Sequence, residues 1–407
     1  MGIKMSHVII VGGGASGLMA GIMAARNHHK VTILEHKEKA GKKILATGNG
    51  KCNFTNLVQK PDCYRGEEEG LPLKVINRFD VNQTIEFFRE IGIYPKEKKG
   101  YLYPNSEQAV SITEVLLSEF HYLKGELILG VHVSKITPAG RGFVVQGGDR
   151  EYKCDKVILA AGGQASQNLG SDGSGYTLAK NLGHKVIKPL PALVQLKSDM
   201  KYFKTIAGVR CIAAISVFIN KVFAVKEEGE ILFAAYGVSG IPIMQVSRFA
   251  AKALDANKSV SIVVDFFPEL REIDLMDNLN HRIKRIPLRG VEQAFTGLLN
   301  NKLLYILLKE ARIPVDLPCH KLTKEKLLEF TKLLKAMEIQ ISDTNSFDQA
   351  QVCAGGIATY EIDNKTMESK IVKGLYLCGE LLDVDGTCGG YNLQWAWSSG
   401  ALAGKSI

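Results

Sequence analysis

A chain of 407 residues is too long for one ordinary hydrophobic core, so two or three domains are expected. With 46% hydrophobic and 23% charged residues the composition is that of a soluble globular protein, and no run of about 18 apolar residues offers a membrane span. The net charge of +9 favours an anionic substrate, cofactor or partner.

His7 to Val11 is a short β-branched run of the kind buried in parallel sheets. Gly12, Gly14 and Gly17 follow in G-x-G-x-x-G spacing. The first glycine permits a tight turn, the second lets backbone approach a pyrophosphate, and the third lets helix and strand pack closely. Ala15 to Arg26 reads as a helix whose first amides, at Ala15 and Ser16, face that pyrophosphate. Val31 to Leu34 is a second strand ending at Glu35, an acid placed to grip a ribose hydroxyl, with His36 beside it. The polar, glycine-punctuated stretch from His36 to Asn56 reads as a loop. In it Lys42, Lys43, Lys51 and the Gly48-Asn49-Gly50 amides are candidate anion ligands.

Val75 to Gly92 and Ser111 to Tyr122 carry helical spacing. Glu126 to Ile136 alternates as one strand, with Phe143 to Gln146 as its partner and a turn at Asp149-Arg150. Lys156 to Ala161 is a buried strand running into Gly162-Gly163, where backbone can pass close to a cofactor. Ser174 to Gly183 reads as a helix with a C-terminal glycine. From Pro189 and Pro191 to Phe267 the pattern is mostly strand, at 192–197, 211–220, 230–233 and 260–266, with one helix at 243–254. From Pro268 to Gln340 it is helical and leucine-rich, and Arg282, Lys284, Arg285 and Arg289 stand together. Strands return at Gln351 to Gly356 and at Gly374 to Cys378, the latter meeting Gly379-Glu380; Gly389-Gly390-Tyr391 then opens a last helix.

FAD spans more than one helix terminus can serve, and the C-terminal glycine turn supplies a second anion-binding helix start. NAD alone would leave that turn unexplained, and no second G-x-G-x-x-G follows a strand. The expected architecture is α/β: a discontinuous Rossmann-like FAD-binding domain (1–190 and 345–407) with an inserted cap, β-rich over 191–267 and helical over 268–344.

Cysteines stand at Cys52, Cys63, Cys154, Cys211, Cys319, Cys353, Cys378 and Cys388, with no C-x-x-C pair. That scatter fits neither a disulfide framework nor a zinc site, so thiols in a reducing cytoplasm and no metal are expected. Met1-Gly2 with Ser6 matches the loose myristoylation pattern, for which a start codon just ahead of the first strand is the simpler cause.

With these residues in place the chain resembles the bacterial flavoproteins described as aminoacetone-oxidase-like or NAD(P)/FAD-dependent oxidoreductases, of the two-dinucleotide-binding-domain superfamily. The resemblance covers nearly the whole chain. It rests on VGGGASGLMA (11–20), GKKILATGNGKCNFTN (41–56), VILAAGG (157–163), GVSGIPIMQVSR (237–248) and the segment from AGGIATYEIDNKTMESK to GLYLCGELLDVDGTCGGYNLQWAWSSG (354–400). G-N-G-K-C-N and C-G-G-Y-N-L-Q-W-A-W are the restrictive pieces; Ala234-Ala235 departs from a turn expected to be more polar. The resemblance implies that Gly12, Gly14, Ser16 and Gly17 hold the pyrophosphate, Glu35 the AMP ribose and Val133 the adenine. It places Gly379 and Glu380 at the ribityl-phosphate side, and Gly390, Tyr391, Asn392 and Leu393 at the flavin ring. Ala15, His36, Lys43, Gly50, Asn53, Ala161 and Gly162 complete the candidate cofactor set.

The resemblance fixes the cofactor better than the reaction, since relatives are credited with reducing steroid enones, reducing uridine in ribosomal RNA and oxidising small amines. The leading expectation is a reductase of a conjugated C=C, with uridine in ribosomal RNA as substrate and NAD(P)H as transient reductant. A small-amine oxidase using oxygen and a flavin-binding, RNA-associated module without turnover are the alternatives. Cys388 and Cys52 are the candidate proton donors, weighed against packing roles in tight loops. His184 and His281 read as surface residues, and the basic cluster from Arg282 to Arg289 as an RNA phosphate contact or a solvated helix face.

Overall fold

The computed structural model describes residues 5–407, so the Met1-Gly2 pattern lies outside the described residues. The chain divides into two compact units: one runs to Leu190 and resumes at Ala350, and the other is Pro191–Gln349.

The first unit starts with β1 (His7–Val11), α1 (Ala15–Arg26) and β2 (Lys30–Glu35). A small antiparallel sheet follows, made of β3 (Thr55–Asn56), β4 (Pro95–Lys98) and β5 (Tyr101–Pro104), with β5 in the middle. Then β6 (Glu126–Leu129), β7 (Lys156–Leu159) and β8 (Leu375–Leu377) join β1 and β2 in a parallel sheet of order β8-β7-β1-β2-β6. Val8, Ile9 and Ile10 on β1 are fully buried, because both faces of a parallel sheet are covered. β8 comes from the far end of the chain, pairing Leu375 with Val157, so the Rossmann sheet is completed only after the second unit has been made.

The last helix, α2 (Tyr391–Lys405), lies against α1 at backbone contact distance. A methyl added at Gly400 would fall 2.4 Å from the Ser16 carbonyl oxygen, and one at Gly404 would fall 2.2 Å from that of Ala20. Only glycine allows two helices to approach so closely. Trp395 and Trp397 are buried on α2 and donate their indole N–H groups to the carbonyls of Gly379 and Phe54, at 2.9 and 2.8 Å.

Several elements differ from the sequence reading. Val75 to Gly92 is two helices, Leu71–Ile76 and Val81–Glu90, because Asp80 starts the second with a reciprocal cap to Gln83. Glu126 to Ile136 is not one strand: β6 ends at Leu129, and Val133–Ala139 belongs to a separate antiparallel sheet with Gly142–Gly147 and Arg150–Cys154. The expected loop after His36 contains the helix Lys42–Ala46 and a tight turn at Thr47–Gly50.

The second unit is a seven-stranded antiparallel sheet with helices packed on it. Its central strands are Val260–Asp265, Arg210–Ile219 and Val222–Ala234. Met337–Ile341 and Asp343–Thr344 form its two edges. The expected split at residue 268 does not separate two cores. Leu275, Leu279, Leu303, Leu307 and Phe330 of the helices share one cluster with Ile215, Phe233, Ile262 and Val264 of the sheet. The physical reason is that a sheet alternating like Met337, Ile339, Ile341 has one apolar face, and the amphipathic helices are what cover it. No helix among the described residues is long and apolar enough to cross a membrane.

Candidate functional site

The three fingerprint glycines do different work. A methyl at Gly12 would lie 2.5 Å from the Ala160 oxygen, and one at Gly17 only 2.0 Å from the Gly12 oxygen, so both are needed for packing. A methyl at Gly14 would meet nothing within 4 Å, and its φ of −81° suits any residue. Gly14 is therefore open to a ligand, as a pyrophosphate-facing glycine must be. It starts α1 without a side-chain cap, and no acid stands in the first turn, which leaves the helix N–H groups and the positive end of the dipole to an anion.

Glu35 is buried, and its two carboxylate oxygens accept from the amides of Gly13 (2.7 Å) and Lys37 (2.8 Å). Each oxygen keeps a second lone pair for a ribose hydroxyl. His36 and His132 meet edge to face with ring centroids 6.0 Å apart, next to Val133. One donor atom each from His36, His132 and Asp172 lie within 4.8 Å of one another. Asp172 already accepts from the Ser174 amide and hydroxyl at 2.9 and 2.6 Å, so turning a helix start accounts for it. Ala161 and Gly162 follow β7 and lie against Gly12 and Ser171 respectively.

The two ends of the chain meet at Gly379, where an added methyl would fall 2.3 Å from Ser16 Oγ. Lys43 donates to Glu380 at 2.5 Å and to the Ala165 carbonyl at 3.2 Å. Lys42 pairs with Glu38 and Lys51 with Glu107, so all three lysines expected as anion ligands have carboxylate partners. A methyl at Gly50 would meet nothing within 4 Å. Gly390 has φ +90°, and a methyl there would lie 2.8 Å from the Thr55 carbonyl and 3.0 Å from Asn53 Oδ1. Asn392 uses both ends of its amide on the Gly386 backbone, at 2.7 and 2.9 Å, which makes it a clamp for the turn. Tyr391 is buried against Tyr64, and that burial pushes its phenol up; Leu393 packs on the core.

Two buried oxygens near these turns have no partner among the described residues, Asn53 Oδ1 and Asp383 Oδ1; the Tyr176 hydroxyl lies against the Cys353 thiol. Each such group costs about 1–3 kcal/mol, so a donor or acceptor from a ligand is the economical account. FAD fits. Gly14 and the α1 amides would hold its pyrophosphate, Glu35 its ribose, and Asn53 beside Gly390 would accept from the ring. Asp383 would serve the ribityl hydroxyls. The sequence reading missed Asp383, although it stands in the D-V-D-G run that carries part of the family resemblance.

Of the two candidate proton donors, Cys52 is fully buried, and burial pushes its thiol up to about 12. That favours its packing role, since a group so far from neutrality transfers protons poorly at pH 7. Cys388 is half-buried beside Gly389 and stays a candidate. Thiol labelling of the native protein at about pH 8 is expected to spare Cys52 and Cys378, whose thiol is also pushed up to about 12 by burial, until the chain unfolds. Rapid native labelling of Cys52 would show that its loop opens. His184 is not a surface residue: it is buried between Glu361 (2.9 Å) and the Ser369 hydroxyl (2.9 Å), a long-range network that local sequence pattern does not reveal. His281 is exposed. Arg282, Lys284, Arg285 and Arg289 are exposed in the second unit, and Arg282 donates to the Ala294 carbonyl.

Comparison with known proteins bears on the family and the cofactor. The family model described as the HI0933-like protein Rossmann domain matches residues 6–406. The chain is 43% identical over 404 residues to the 3-dehydro-bile acid delta(4,6)-reductase of Clostridium scindens, covering 99% of both. It is 30% identical over 411 residues to the ribosomal RNA dihydrouridine synthase of Haemophilus influenzae, again covering 99% of both. Against the ribosomal RNA dihydrouridine synthase of Escherichia coli it is 29% identical over 395 residues, covering 96% of this chain and 95% of that one. The chain thus belongs to the HI0933-like Rossmann family and is an FAD-dependent oxidoreductase.

Proposed function

We propose that this enzyme reduces a C=C bond conjugated to a carbonyl in a small, flat enone, drawing electrons from NAD(P)H. What carries the reading is the 43% identity over 99% of both chains to a reductase of an unsaturated bile acid. The dihydrouridine synthases support the same chemistry, because the bond saturated in uracil is also conjugated to a carbonyl. Saturation takes a hydride at the β-carbon and a proton at the α-carbon. Bound FAD supplies the hydride chemistry. The chain contributes the rest: α1 and Gly14 fix the cofactor by its phosphates, Asn53 and Gly390 set the ring's place, and Cys388 stands by the turn as a proton source.

Uridine in ribosomal RNA is the second reading, supported by relatives at 30% and 29% identity and by the net charge of +9. The small enone is preferred on the higher identity. The basic cluster from Arg282 to Arg289 adds little to the RNA reading, since a solvated helix face accounts for it equally. The test is anaerobic incubation of FAD-loaded protein with NAD(P)H and either a 3-oxo-Δ4 steroid or ribosomal RNA. The expected result is a steroid saturated at that bond in step with NAD(P)H consumed. Dihydrouridine in the RNA with an untouched steroid would move the assignment to the second reading, and no reduction of either would sink the proposal.

A further inference from the structure

Beside the Gly389-Gly390 turn stands a wall that the sequence reading passed over, and it bears on what the enzyme accepts. Asn56 on β3 is opposite Tyr101 on β5, and Tyr101 is opposite Lys98 on β4; Tyr103 is likewise opposite Lys96. Residues directly opposite one another share a face of the sheet, and so do positions two apart along one strand. One face therefore carries Asn56, Tyr101, Lys98, Tyr103 and Lys96, while Leu102 and Pro104 are buried on the other.

This face lies at the glycine turns. Asn56 Nδ2 donates to the Gly389 carbonyl at 3.1 Å, and a methyl at Gly389 would run into the Tyr101 ring at 2.6 Å. Tyr103 lies 3.8 Å from where a methyl on Gly48 would sit. The Tyr101 backbone is paired on both sides, and 39% of the residue is exposed. A partly exposed aromatic ring on a paired strand beside the Gly389 turn is a stacking surface for a flat ligand.

The charges on the wall are unequal. Lys96 and Lys51 both bind Glu107, at 2.7 and 3.0 Å, and hold its carboxyl down to about 2. Lys98 has no carboxylate partner among the described residues. The wall thus offers two tyrosines and one uncommitted ammonium, a match for one carboxylate; a strand of RNA would call for cations at several phosphates.

We propose that Tyr101 stacks on the substrate's fused rings and Lys98 pairs with an anionic group at the far end of that plate, so that the enzyme selects fused-ring enone acids over neutral enones. The inference rests on the proposed enone reduction, and the two can fail separately.

The test uses FAD-loaded enzyme, with 3-oxo-4-cholenoic acid and 4-androstene-3,17-dione as the acid and neutral probes. Binding is read from the shift in the flavin spectrum on titration, and turnover from KM and kcat. Lys98→Met is expected to weaken the acid about fourfold more than the neutral enone, the size of an exposed ion pair. That difference should fade at about 0.5 M salt. Tyr101→Ala is expected to weaken both probes about twentyfold through KM, with Tyr101→Phe recovering most of the loss. Equal effects of Lys98→Met on the two probes, or none from Tyr101→Ala, would overturn the wall. So would a Tyr101→Phe variant that loses kcat as deeply as the alanine at unchanged KM, because the hydroxyl would then be the acting group. Steroids that bind with the expected variant pattern but are never reduced would remove the proposed reaction and keep the wall. Reduction of uridine without any steroid binding would do the reverse.

Discussion

Gly14→Val is expected to leave the first unit folded and to deprive it of FAD. The position has an ordinary φ of −81° and open space where a side chain's first carbon would sit, so the backbone accepts a side chain there. The valine would instead occupy the volume in front of the α1 amides, where a pyrophosphate must come. FAD affinity should fall at least about a hundredfold, or roughly 2.7 kcal/mol, read by quenching of flavin fluorescence. The apo form should keep the native circular dichroism and melt near the native apo form, a comparison made without FAD because bound cofactor itself raises the melting point. Gly17→Ala gives the opposite pattern. Its methyl would sit 2.0 Å from the Gly12 oxygen, backbone against backbone, and overpacking of that kind costs about 3 kcal/mol. It should therefore lower the apo melting temperature first. A Gly14→Val protein that binds FAD like the native chain would remove the pyrophosphate from this turn.

The contrast shows what a local pattern can and cannot say. Strand, glycines, helix and acid at Val8 to Glu35 were legible because each acts on neighbours within about thirty residues of sequence. The C-terminal turn was legible as a second glycine-rich helix start. Its meeting with the first, at Gly379 and Ser16, could only be inferred from the size of FAD. Pairings between distant residues left no trace: Lys43 with Glu380, His184 with Glu361 and Ser369. Nor does alternation say which sheet a strand joins, which is why Glu126 to Ile136 read as one strand and is divided between two. The hairpin bearing Tyr101 was missed for a specific reason. Its two-residue turn, Lys99-Gly100, takes φ of 54° and 86°, the conformation usually announced by Asn-Gly, and lysine hides the signal. The Asp80 cap, by contrast, was visible as D-x-x-Q and ends the reading of one long helix.

The second large effect is expected at Gln394, where the far end of the chain is fastened to the segment bearing Asn53. Gln394 is fully buried one turn into α2, and its amide N–H accordingly donates to the Gly390 carbonyl at 2.9 Å. Its side-chain oxygen accepts from the Thr55 hydroxyl, and its NH2 donates to Thr84 and Ser398 at 2.9 Å each. Replacing it with leucine fills much of the volume but takes the partner from the buried Thr55 and Thr84 hydroxyls, while Ser398 keeps its bond to the Phe79 carbonyl at 2.7 Å. Unsatisfied groups of this kind cost about 1–3 kcal/mol each, and networks lose more than isolated bonds do. Gln394→Leu should therefore cost about 3–4 kcal/mol, or roughly 10 °C of apo melting temperature for a unit of this size. Thr84→Val alone should cost about 1 kcal/mol. The two together should cost less than their sum, because the second change removes a partner that is already gone. FAD affinity should fall as well, since Thr55 carries the carbonyl that faces Gly390 and lies two residues from Asn53. A Gln394→Leu protein that melts within about 2 °C of the native apo form would show that the glutamine only fills space and that its hydrogen bonds do not hold the two ends together.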